Sequence, residues 1–360
     1  MKKLIVALAM IVSTLSVTNA QDRLRLNVYG LNHDHISGFL SQYRNGTANV
    51  VGIYEPSKPL WEKFKKRYNL PDSIYFDDVK KMIKATKPDV MLGYNAVGKH
   101  IDIVEVCAPL GIPVMVEKPL AATLDQAKRI EFLADKYKVT VLVNYETTWY
   151  PSYQHVKDVI GQDSIGEIRK VVFHDGHKGP KEIGCSPEFL AWLTDPVLNG
   201  AGALNDFGCY GANLMTWLMH GEKPISVTAI AKHYKPEVYP KVEDDATIIV
   251  EYPTATGMIE ASWNWPLNIK DMEVFGVKGY MHAFNGNDVQ LRLKDGNMGT
   301  TTKARPLPAT IADPMNYLYA IIKKKIPAPD DQSSLKYNMI TMQILDAAKR
   351  SINEGKRITL

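Results

Sequence analysis

Short apolar runs alternate with longer segments of helical periodicity between residues 24 and 148. The apolar runs are LRLNVYG, NVVGIYE, SIYF, DVMLGY, PVMVEK and TVLVNY. In the segments between them apolar residues recur every three or four positions, as in TLDQAKRIEFLADKYK, and Gly or Pro often ends the pattern. Strands that alternate with helices at this spacing predict a doubly wound parallel α/β sheet. Because such sheets bind ligands at the carboxyl ends of their strands, we expect the functional residues there.

The turn after the first predicted strand, GLNHDH, begins like a dinucleotide-binding turn and then departs from it. Gly30 occupies the first glycine position of the G-x-G-x-x-G fingerprint, but Asn32 and His35 occupy the second and third. Asp34 is a good N-cap for the next helix, although its carboxylate would occupy the site of a bound anion. The histidines can offset this charge by donating hydrogen bonds, so Gly30, Asn32 and His33 remain candidates for contact with a pyrophosphate.

Two other interpretations of this turn stay open. His33 and His35 can coordinate a metal ion together with His174 and His177 of a later segment, since imidazole and carboxylate suit zinc or manganese. The turn can also be a simple capped turn that carries surface histidines.

An acidic residue, Glu55, ends the second predicted strand, 25 positions after Gly30. A carboxylate there can accept hydrogen bonds from both ribose hydroxyls and repels a 2′-phosphate, which favours NAD over NADP. The alternative is an ordinary turn carboxylate before Pro56.

A lysine follows the fifth predicted strand in VMVEKPLAATLDQA, where the buried run leads directly into Glu117-Lys118-Pro119. Thr123 is placed to cap the next helix. A lysine at the carboxyl end of a strand faces the ligand crevice, where its ammonium can polarise a substrate hydroxyl or lower the pKa of a neighbouring acid. The alternative is a solvated lysine beside a turn that Pro119 shapes.

The chain resembles the Gfo/Idh/MocA family of sugar and cyclitol oxidoreductases. The family's E-K-P motif matches Glu117-Lys118-Pro119, and its Asn and His around the fourth strand match Asn95 and His100 in YNAVGKH. The resemblance covers essentially the whole chain after residue 20, including the final predicted helix. It implies NAD as the cofactor, with Glu117, Lys118, Asn95 and His100 in contact with it, and a second α/β domain with an open mixed sheet. Family members often pair these sheets, so the resemblance also implies a homo-oligomer.

A glycine-rich stretch, residues 199–219, continues into an apolar helix. Its Asp206, Gly208 and Tyr210 resemble the family's D-x-G-x-[HY] motif in its tyrosine form. The i, i+4 spacing predicts Asp206 and Tyr210 on one helix face. Beside the Lys118 ammonium the phenolate of Tyr210 is expected to be favoured, so that it can take a proton from a sugar hydroxyl. Lys118, Asp206 and Tyr210 are therefore the predicted catalytic residues; the alternative is that Tyr210 packs in the core and Asp206 caps the helix.

Candidate substrate contacts come from three further stretches. VVFHDGHKGPKEIG follows a predicted strand and is dense in polar residues that can line a polyhydroxylated substrate. Two indoles near residue 262 can stack on a sugar ring or pack within a sheet, and NYETTWYPSYQ is the predicted crossover between domains. The candidates are His174, Asp175, His177, Lys178, Trp149 and Trp263.

The first 20 residues, MKKLIVALAMIVSTLSVTNA, have the pattern of a cleaved signal peptide. Their apolar run is shorter than the roughly 20 residues of a spanning helix. We therefore expect a periplasmic or secreted protein with no membrane span in the mature chain. The remainder suffices for two domains, predicted as a Rossmann-like domain at 21–147 and a substrate-binding α/β domain, with an open sheet and the C-terminal helix, at 148–360.

Charge and cysteine content exclude several other classes of partner and scaffold. The formal net charge of +4 falls to +2 without Lys2 and Lys3, and the remaining charges are interspersed. This pattern does not favour binding to nucleic acid or to an anionic membrane. Three cysteines without framework spacing do not predict a disulfide scaffold.

Together these features predict an NAD-dependent oxidoreductase that acts on a sugar, cyclitol or glycoside. Because free NAD is not expected to turn over outside the cytoplasm, the cofactor is predicted to be tightly bound. One alternative is a redox-neutral glycoside hydrolase or lyase that acts through a transient keto-sugar with bound NAD. Two others are a metal-assisted lyase or hydrolase that has lost the dinucleotide, and a carbohydrate-binding protein that keeps only the crevice.

Overall fold

The computed structural model describes residues 23–296 and 298–360. The predicted signal peptide, residues 1–20, lies outside the described residues. Among the residues that are described, no helix has the length and apolar character of a membrane span.

The N-terminal half forms a six-stranded parallel sheet with strand order β3-β2-β1-β4-β5-β6. Each strand coincides with one of the six apolar runs, so the predicted doubly wound sheet is confirmed. The order reverses between β1 and β4, and this switch point is where such sheets bind ligands. The strands are β1 Leu26–Tyr29, β2 Val50–Tyr54, β3 Tyr75–Phe76, β4 Val90–Gly93, β5 Val114–Glu117 and β6 Val141–Asn144.

Five α-helices connect these strands, and most have side-chain caps. Thr123 accepts a hydrogen bond from the amide of Gln126, as its position in the sequence predicts. Asp34 does not cap the first helix, contrary to the prediction, because its carboxylate turns away and accepts from the amide of Ser186 at 2.9 Å. The helices are α1 Ile36–Arg44, α2 Lys58–Tyr68, α3 Val79–Thr86, α4 His100–Cys107 and α5 Leu124–Tyr137.

The C-terminal half contains a nine-stranded mixed sheet with order β14-β13-β12-β11-β7-β10-β9-β8-β15. Its central strand, β7, pairs parallel with β10 and antiparallel with β11. This is the mixed sheet expected of the second domain. The strands are β7 Ile168–Gly176, β8 Ser226–Lys232, β9 Asp245–Glu251, β10 Thr256–Ser262, β11 Ile269–Gly276, β12 Tyr280–Ala283, β13 Asp288–Arg292, β14 Thr301–Lys303 and β15 Ile358–Thr359.

Six further helices accompany this sheet: α6 Pro151–Gly161, α7 Pro187–Leu193, α8 Ala203–Asp206, α9 Gly208–Leu218, α10 Pro314–Ile322 and α11 Leu335–Glu354. Helix α9 is buried along its whole length. It can approach the sheet closely because residue 211 is glycine: a Cβ there would lie 2.6 Å from a methyl group of Ile259.

The two halves of the chain share apolar cores. Tyr317 and Leu318 of α10 pack in the same cluster as Leu26 and Val28 of β1. The C-terminal segment thus helps to cover the first sheet. The predicted division at residues 147 and 148 stays a prediction.

Candidate active site

A buried ion pair lies at the carboxyl end of β5. Lys118 Nζ donates to Asp206 Oδ1 at 2.5 Å and to the Asp206 carbonyl oxygen at 2.9 Å. Burial alone would lower the pKa of Lys118, but the adjacent Asp206 carboxylate raises it above its ordinary value. Lys118 in turn holds the pKa of Asp206 below its ordinary range despite burial. Both groups are therefore charged at neutral pH, and each neutralises the other.

Tyr210 lies beside this pair but does not have the predicted properties. Asp206 ends α8 and Tyr210 belongs to α9, so the two residues do not share one continuous helix. The Tyr210 ring centroid is 4.8 Å from Lys118 Nζ and 4.1 Å from Lys270 Nζ. Burial raises the pKa of Tyr210 well above 10, and nearby carboxylates raise it further. The predicted phenolate is therefore wrong, because the charge of Lys118 is taken up by Asp206, and Tyr210 keeps its proton.

Asp175 adds a carboxyl group to the site. It is 3% exposed, and neither of its oxygens has a hydrogen-bond partner among the described residues. Burial raises its pKa to about 7, partly offset by Lys270, at 3.8 Å, and by Lys118. Asp175 can therefore change its protonation state near neutral pH, next to Tyr210 and Lys118.

Lys270 and Glu146 complete this centre, and the sequence did not identify either role. Lys270 Nζ donates to Glu146 Oε2 at 2.7 Å, and Tyr150 donates to the other oxygen of Glu146 at 2.7 Å. Lys270 stands opposite Asp175 in the pairing of β11 with β7. The register between these strands determines that contact, and a sequence alone does not reveal it.

The predicted substrate residues around β7 separate because side chains alternate across a strand. Asp175 faces Lys118, whereas His174 faces the other side of the sheet and contacts Asp271 at 2.6 Å. The prediction that His174 lines the same site is therefore wrong. His177 packs edge-on against Phe207 at 4.8 Å, near the ion pair, and burial lowers the pKa of its imidazole.

The remaining candidates differ in exposure. Lys178 is exposed on the surface, and its role in binding stays a prediction. Trp263 is fully buried, and its indole N–H donates to Asp206 Oδ2 at 2.9 Å. It cannot stack on a sugar, contrary to the prediction; instead it fixes the orientation of Asp206. Trp149 is half-buried and donates to Asn144 Oδ1 at 3.0 Å.

A cavity of about 500 Å³ opens at the ends of β4, β5 and β6. Trp149 lines it, which fits the predicted contact with substrate. Its walls combine polar side chains at the strand ends with apolar surface from α1 and α10 in about equal parts. The lining residues are Asp34, His35, Gly38, Phe39, Gln42, Tyr94, Glu117, Asn144, Glu146, Trp149, Pro314 and Met315.

Glu55 stabilises the turn after β1. Gly30 has φ +84°, and a Cβ there would lie 2.8 Å from Asn95 Cβ, so the tight turn requires glycine. Glu55 is 4% exposed and accepts from the amides of Leu31 at 2.9 Å and Ser57 at 2.8 Å. Its carboxylate is thus engaged by the turn itself, and its contact with a ribose stays a prediction.

Helix α7 covers the same turn. Trp192 donates from its indole nitrogen to the Asn32 carbonyl at 2.9 Å. The His33 ring is 2% exposed and packs against Phe189 and Trp192, with centroids 4.9 and 5.4 Å apart. The His33 amide donates to the carbonyl of Tyr94 at 3.2 Å.

The contacts of the turn after β1 bear on whether it can bind the pyrophosphate of a dinucleotide. A pyrophosphate needs free turn amides and an uncovered helix N-terminus. Here the turn amides of Leu31 and His33 have partners within the chain and α7 lies over the turn, so it does not form a phosphate cradle in this conformation. A dinucleotide that used this turn would have to enter and leave past α7, and the cavity of about 500 Å³ is lined by Glu117 and not by Lys118.

Two residues predicted to contact the cofactor are enclosed. His100 is fully buried, with Nδ1 3.2 Å from the Leu120 carbonyl oxygen, and burial lowers its pKa to about 4. The neutral imidazole is enclosed by the chain, and its contact with the cofactor stays a prediction. Asn95 is 6% exposed and donates to the Lys99 carbonyl at 3.1 Å, so its role stays a prediction.

The four histidines predicted as candidate metal ligands do not lie together in the structure. His174 lies on the far face of the sheet and His177 packs on Phe207, so neither joins the turn histidines. Within the described residues, one group of three has ligating atoms within 4.8 Å of one another: His33, His35 and Glu117.

Comparisons with known proteins match most of the chain. The family of oxidoreductases with an NAD-binding Rossmann fold matches residues 30–145, and the GFO/IDH/MocA C-terminal domain matches residues 153–282. A trans-1,2-dihydrobenzene-1,2-diol dehydrogenase from Xenopus laevis is 27% identical over 203 residues, which are 56% of this chain and 57% of the relative. A D-xylose 1-dehydrogenase [NADP(+)] from Haloarcula marismortui is 25% identical over 43% of this chain and 42% of its own. The chain thus matches only about half the length of these relatives.

Solved structures show the same fold over nearly the whole chain. The aldose-aldose oxidoreductase from Caulobacter crescentus, complexed with glycerol, superposes with a TM-score of 0.79 at 18% identity, covering 94% of this chain and 100% of that one. An inositol dehydrogenase homologue from Azotobacter vinelandii, complexed with NAD+, also reaches 0.79 at 15% identity, over 94% and 98% of the two chains.

Proposed function

The chain belongs to the Gfo/Idh/MocA family of NAD-binding oxidoreductases, and from this premise we propose that it oxidises a hydroxyl group of a sugar, cyclitol or glycoside. The observation that carries the proposal is the buried centre of Lys118, Asp206, Tyr210 and Asp175. Glu117, the neighbour of Lys118 in the chain, and Glu146, the partner of Lys270, line a cavity of about 500 Å³. NAD, when bound, supplies the hydride acceptor.

The side chains of this centre divide the proton chemistry among themselves. Lys118 and Tyr210 keep their protons at neutral pH and can donate hydrogen bonds to a substrate oxygen. Such donors stabilise negative charge as it develops on that oxygen. Asp175, with a pKa of about 7, is the group that can accept the hydroxyl proton.

The walls of the cavity support a polyhydroxylated substrate. Glu117, Asn144 and Glu146 offer carboxylate and amide groups, and Trp149 offers part of an indole. This mixture of acceptors, donors and one aromatic ring suits a molecule with several hydroxyl groups. The names of the relatives, which include a diol dehydrogenase and a xylose dehydrogenase, agree with such a substrate.

Tight retention of the cofactor and export are further parts of the proposal. The first 20 residues have the pattern of a signal peptide, and a protein outside the cytoplasm would need a cofactor that does not exchange. The contacts of α7 with the turn, through Trp192 and Phe189, support slow exchange. Exposed apolar side chains on strands of the second sheet, such as Ile230 and Phe275, support association into a homo-oligomer.

A redox-neutral cleavage of glycosides is the second candidate, and Asp175 favours it. After oxidation of one ring carbon, elimination requires a base that removes a proton from the neighbouring carbon. A carboxyl group with a pKa of about 7 can serve such a step as well as the first proton transfer.

One experiment separates these functions. The purified protein is incubated with NAD and, separately, with aldoses, inositols and methyl glycosides, and the products are identified by mass spectrometry. A keto-sugar with an equal amount of NADH supports the dehydrogenase. Release of methanol without net NADH supports redox-neutral cleavage, and no product from any class would refute both.

A further inference from the structure

We propose that His33, His35 and Glu117 bind a divalent transition-metal ion whose remaining coordination positions face the cavity of about 500 Å³. One ligating atom from each of the three residues lies within 4.8 Å of the other two. Two imidazoles and a carboxylate are a ligand set typical of zinc and manganese in proteins. The site goes beyond the proposed oxidation and does not rest on it.

The topology of the first sheet brings these residues together. His33 and His35 belong to the turn after β1, and Glu117 ends β5, on the other side of β4. All three therefore lie at the carboxyl edge of the sheet, where the strand order reverses. The His33 amide donates to the carbonyl of Tyr94, the residue that follows β4.

Of the three residues, the carboxylate of Glu117 suits a cation directly, whereas an ion must displace a proton from His35, because burial lowers the pKa of its imidazole but Glu117 raises it by more. Burial lowers the pKa of His33, so its imidazole is neutral at neutral pH, which is the form that binds metal. Glu117 is buried, and neighbouring His35 helps to keep the pKa of its carboxyl low despite the burial, so a carboxylate is present. The nearby Lys118 ammonium does not oppose a cation with its full charge, because Asp206 lies 2.5 Å from it.

An ion would replace two hydrogen bonds of the present arrangement. His35 Nδ1 lies 2.9 Å from Glu117 Oε2, and the His35 amide donates to His33 Nδ1 at 3.3 Å. The second of these is long and therefore weak. Converging ligands that bond to one another in this way need only small side-chain movements to enclose an ion.

Outer contacts hold the carboxylate and shape the site. Asn144 donates to Glu117 Oε1 at 2.8 Å and is itself fixed by the indole of Trp149. Such second contacts orient metal ligands and raise affinity. Phe189 and Trp192 of α7 enclose His33 on one side, while His35 is 47% exposed and borders the cavity. Three protein ligands with an open side are typical of a catalytic metal site, whereas a structural site is closed.

The same residues account for the altered turn. His35 stands at a glycine position of the dinucleotide fingerprint, where it removes part of a phosphate cradle and adds a metal ligand. An ion at this point can take oxygen ligands from the cavity, such as two adjacent hydroxyl groups of a polyol.

Zinc is the probe for the test. The full chain is freed of metal with a chelator and then dialysed against Zn2+. The number of zinc ions bound per chain is measured by elemental mass spectrometry. We expect about one zinc per chain, and at least a hundred-fold weaker binding in the single variants His35→Ala and Glu117→Gln. His174→Ala removes a histidine from the far face of the second sheet and serves as the matched control, which should bind zinc like the wild type.

Two further measurements keep the test decisive. Thermal unfolding of each variant without metal shows whether it is folded, and His35→Ala is expected to fold because nearly half of that side chain is exposed. The dinucleotide is released by acid and quantified in the same samples, so the presence of NAD is read separately from that of metal. A folded wild-type protein that binds no zinc and no manganese, or zinc binding unchanged in both ligand variants, overturns the proposal.

Discussion

The carboxylate of Asp175 and the ammonium of Lys270 lie 3.8 Å apart on neighbouring strands. Neither oxygen of Asp175 accepts a hydrogen bond from the described residues, because Lys270 donates to Glu146 instead. The carboxyl group is therefore buried without the contacts that would favour its ionised form, and its pKa rises to about 7. This relationship is why we propose Asp175 as the proton acceptor of the site.

Substitution of Asp175 should remove a pH-dependent step. In the wild type, oxidation of a substrate should increase as pH rises through about 7, because Asp175 must lose its proton to act as a base. Asp175→Asn should lower kcat by roughly 10²–10⁴ and abolish this dependence. The measurement is kcat against pH from 5 to 9 with a substrate from the screen. Asp271→Asn changes a carboxylate on the opposite face of the same sheet and should leave the profile intact.

The same group should make the folded protein less stable as pH rises from about 4 to 7. The folded pKa of about 7 exceeds the ordinary value of 3.8, so stability is lost as pH rises from about 4 to 7 and is constant above that. Relative to the wild type, the free energy of unfolding of Asp175→Asn should therefore increase by up to roughly 4 kcal/mol over this interval. Urea unfolding at pH 4.5 and pH 8 measures the change. A difference between the two proteins that does not vary with pH would refute the raised pKa.

Tyr210 should act as a hydrogen-bond donor. Tyr210→Phe should reduce kcat by about 10²–10³, the usual effect of removing one donor to a developing oxyanion. The increase through pH 7 should persist in this variant, since Asp175 is still present. A Tyr210→Phe protein that loses this pH dependence, while Asp175→Asn keeps it, would assign the base to the phenol.

Trp192 should slow the exchange of the dinucleotide. Trp192→Phe keeps an aromatic ring on His33 but removes the hydrogen bond to the Asn32 carbonyl. This hydrogen bond contributes about 0.5–1.5 kcal/mol to holding α7 on the turn. Its loss should accelerate NADH release by roughly two- to twelve-fold. Stopped-flow fluorescence of NADH displaced by excess NAD measures the rate. Trp265 lies outside α7, with its ring 6.3 Å from that of His174, so Trp265→Phe should release NADH at the wild-type rate.

Much of the fold followed from local patterns in the sequence. The six apolar runs became the six strands, and Thr123 caps α5, because strand periodicity and helix capping are decided within a few residues. The structure also places Lys118 and Asp206, two of the predicted catalytic residues, in direct contact. Short motifs at the ends of strands carried that information.

The rest depended on contacts between distant segments. Asp34 interacts with Ser186, Trp263 with Asp206, and Lys270 stands opposite Asp175 only through the register of β11 with β7. The protonation of Tyr210 likewise depends on its burial and on the pairing of Lys118 elsewhere. No local pattern encodes such relationships.

Transient reduction of NAD tests the account most directly, because it detects hydride transfer in both net oxidation and redox-neutral cleavage. The protein with NAD is mixed in a stopped-flow instrument with an aldose, an inositol or a glycoside, and the absorbance of NADH is followed. We expect NADH to form with at least one class, and to form at least about a hundred-fold more slowly in Lys118→Ala, which lacks the ammonium of the proposed catalytic centre. No NADH with any class, or equal rates in the two proteins, would contradict the account.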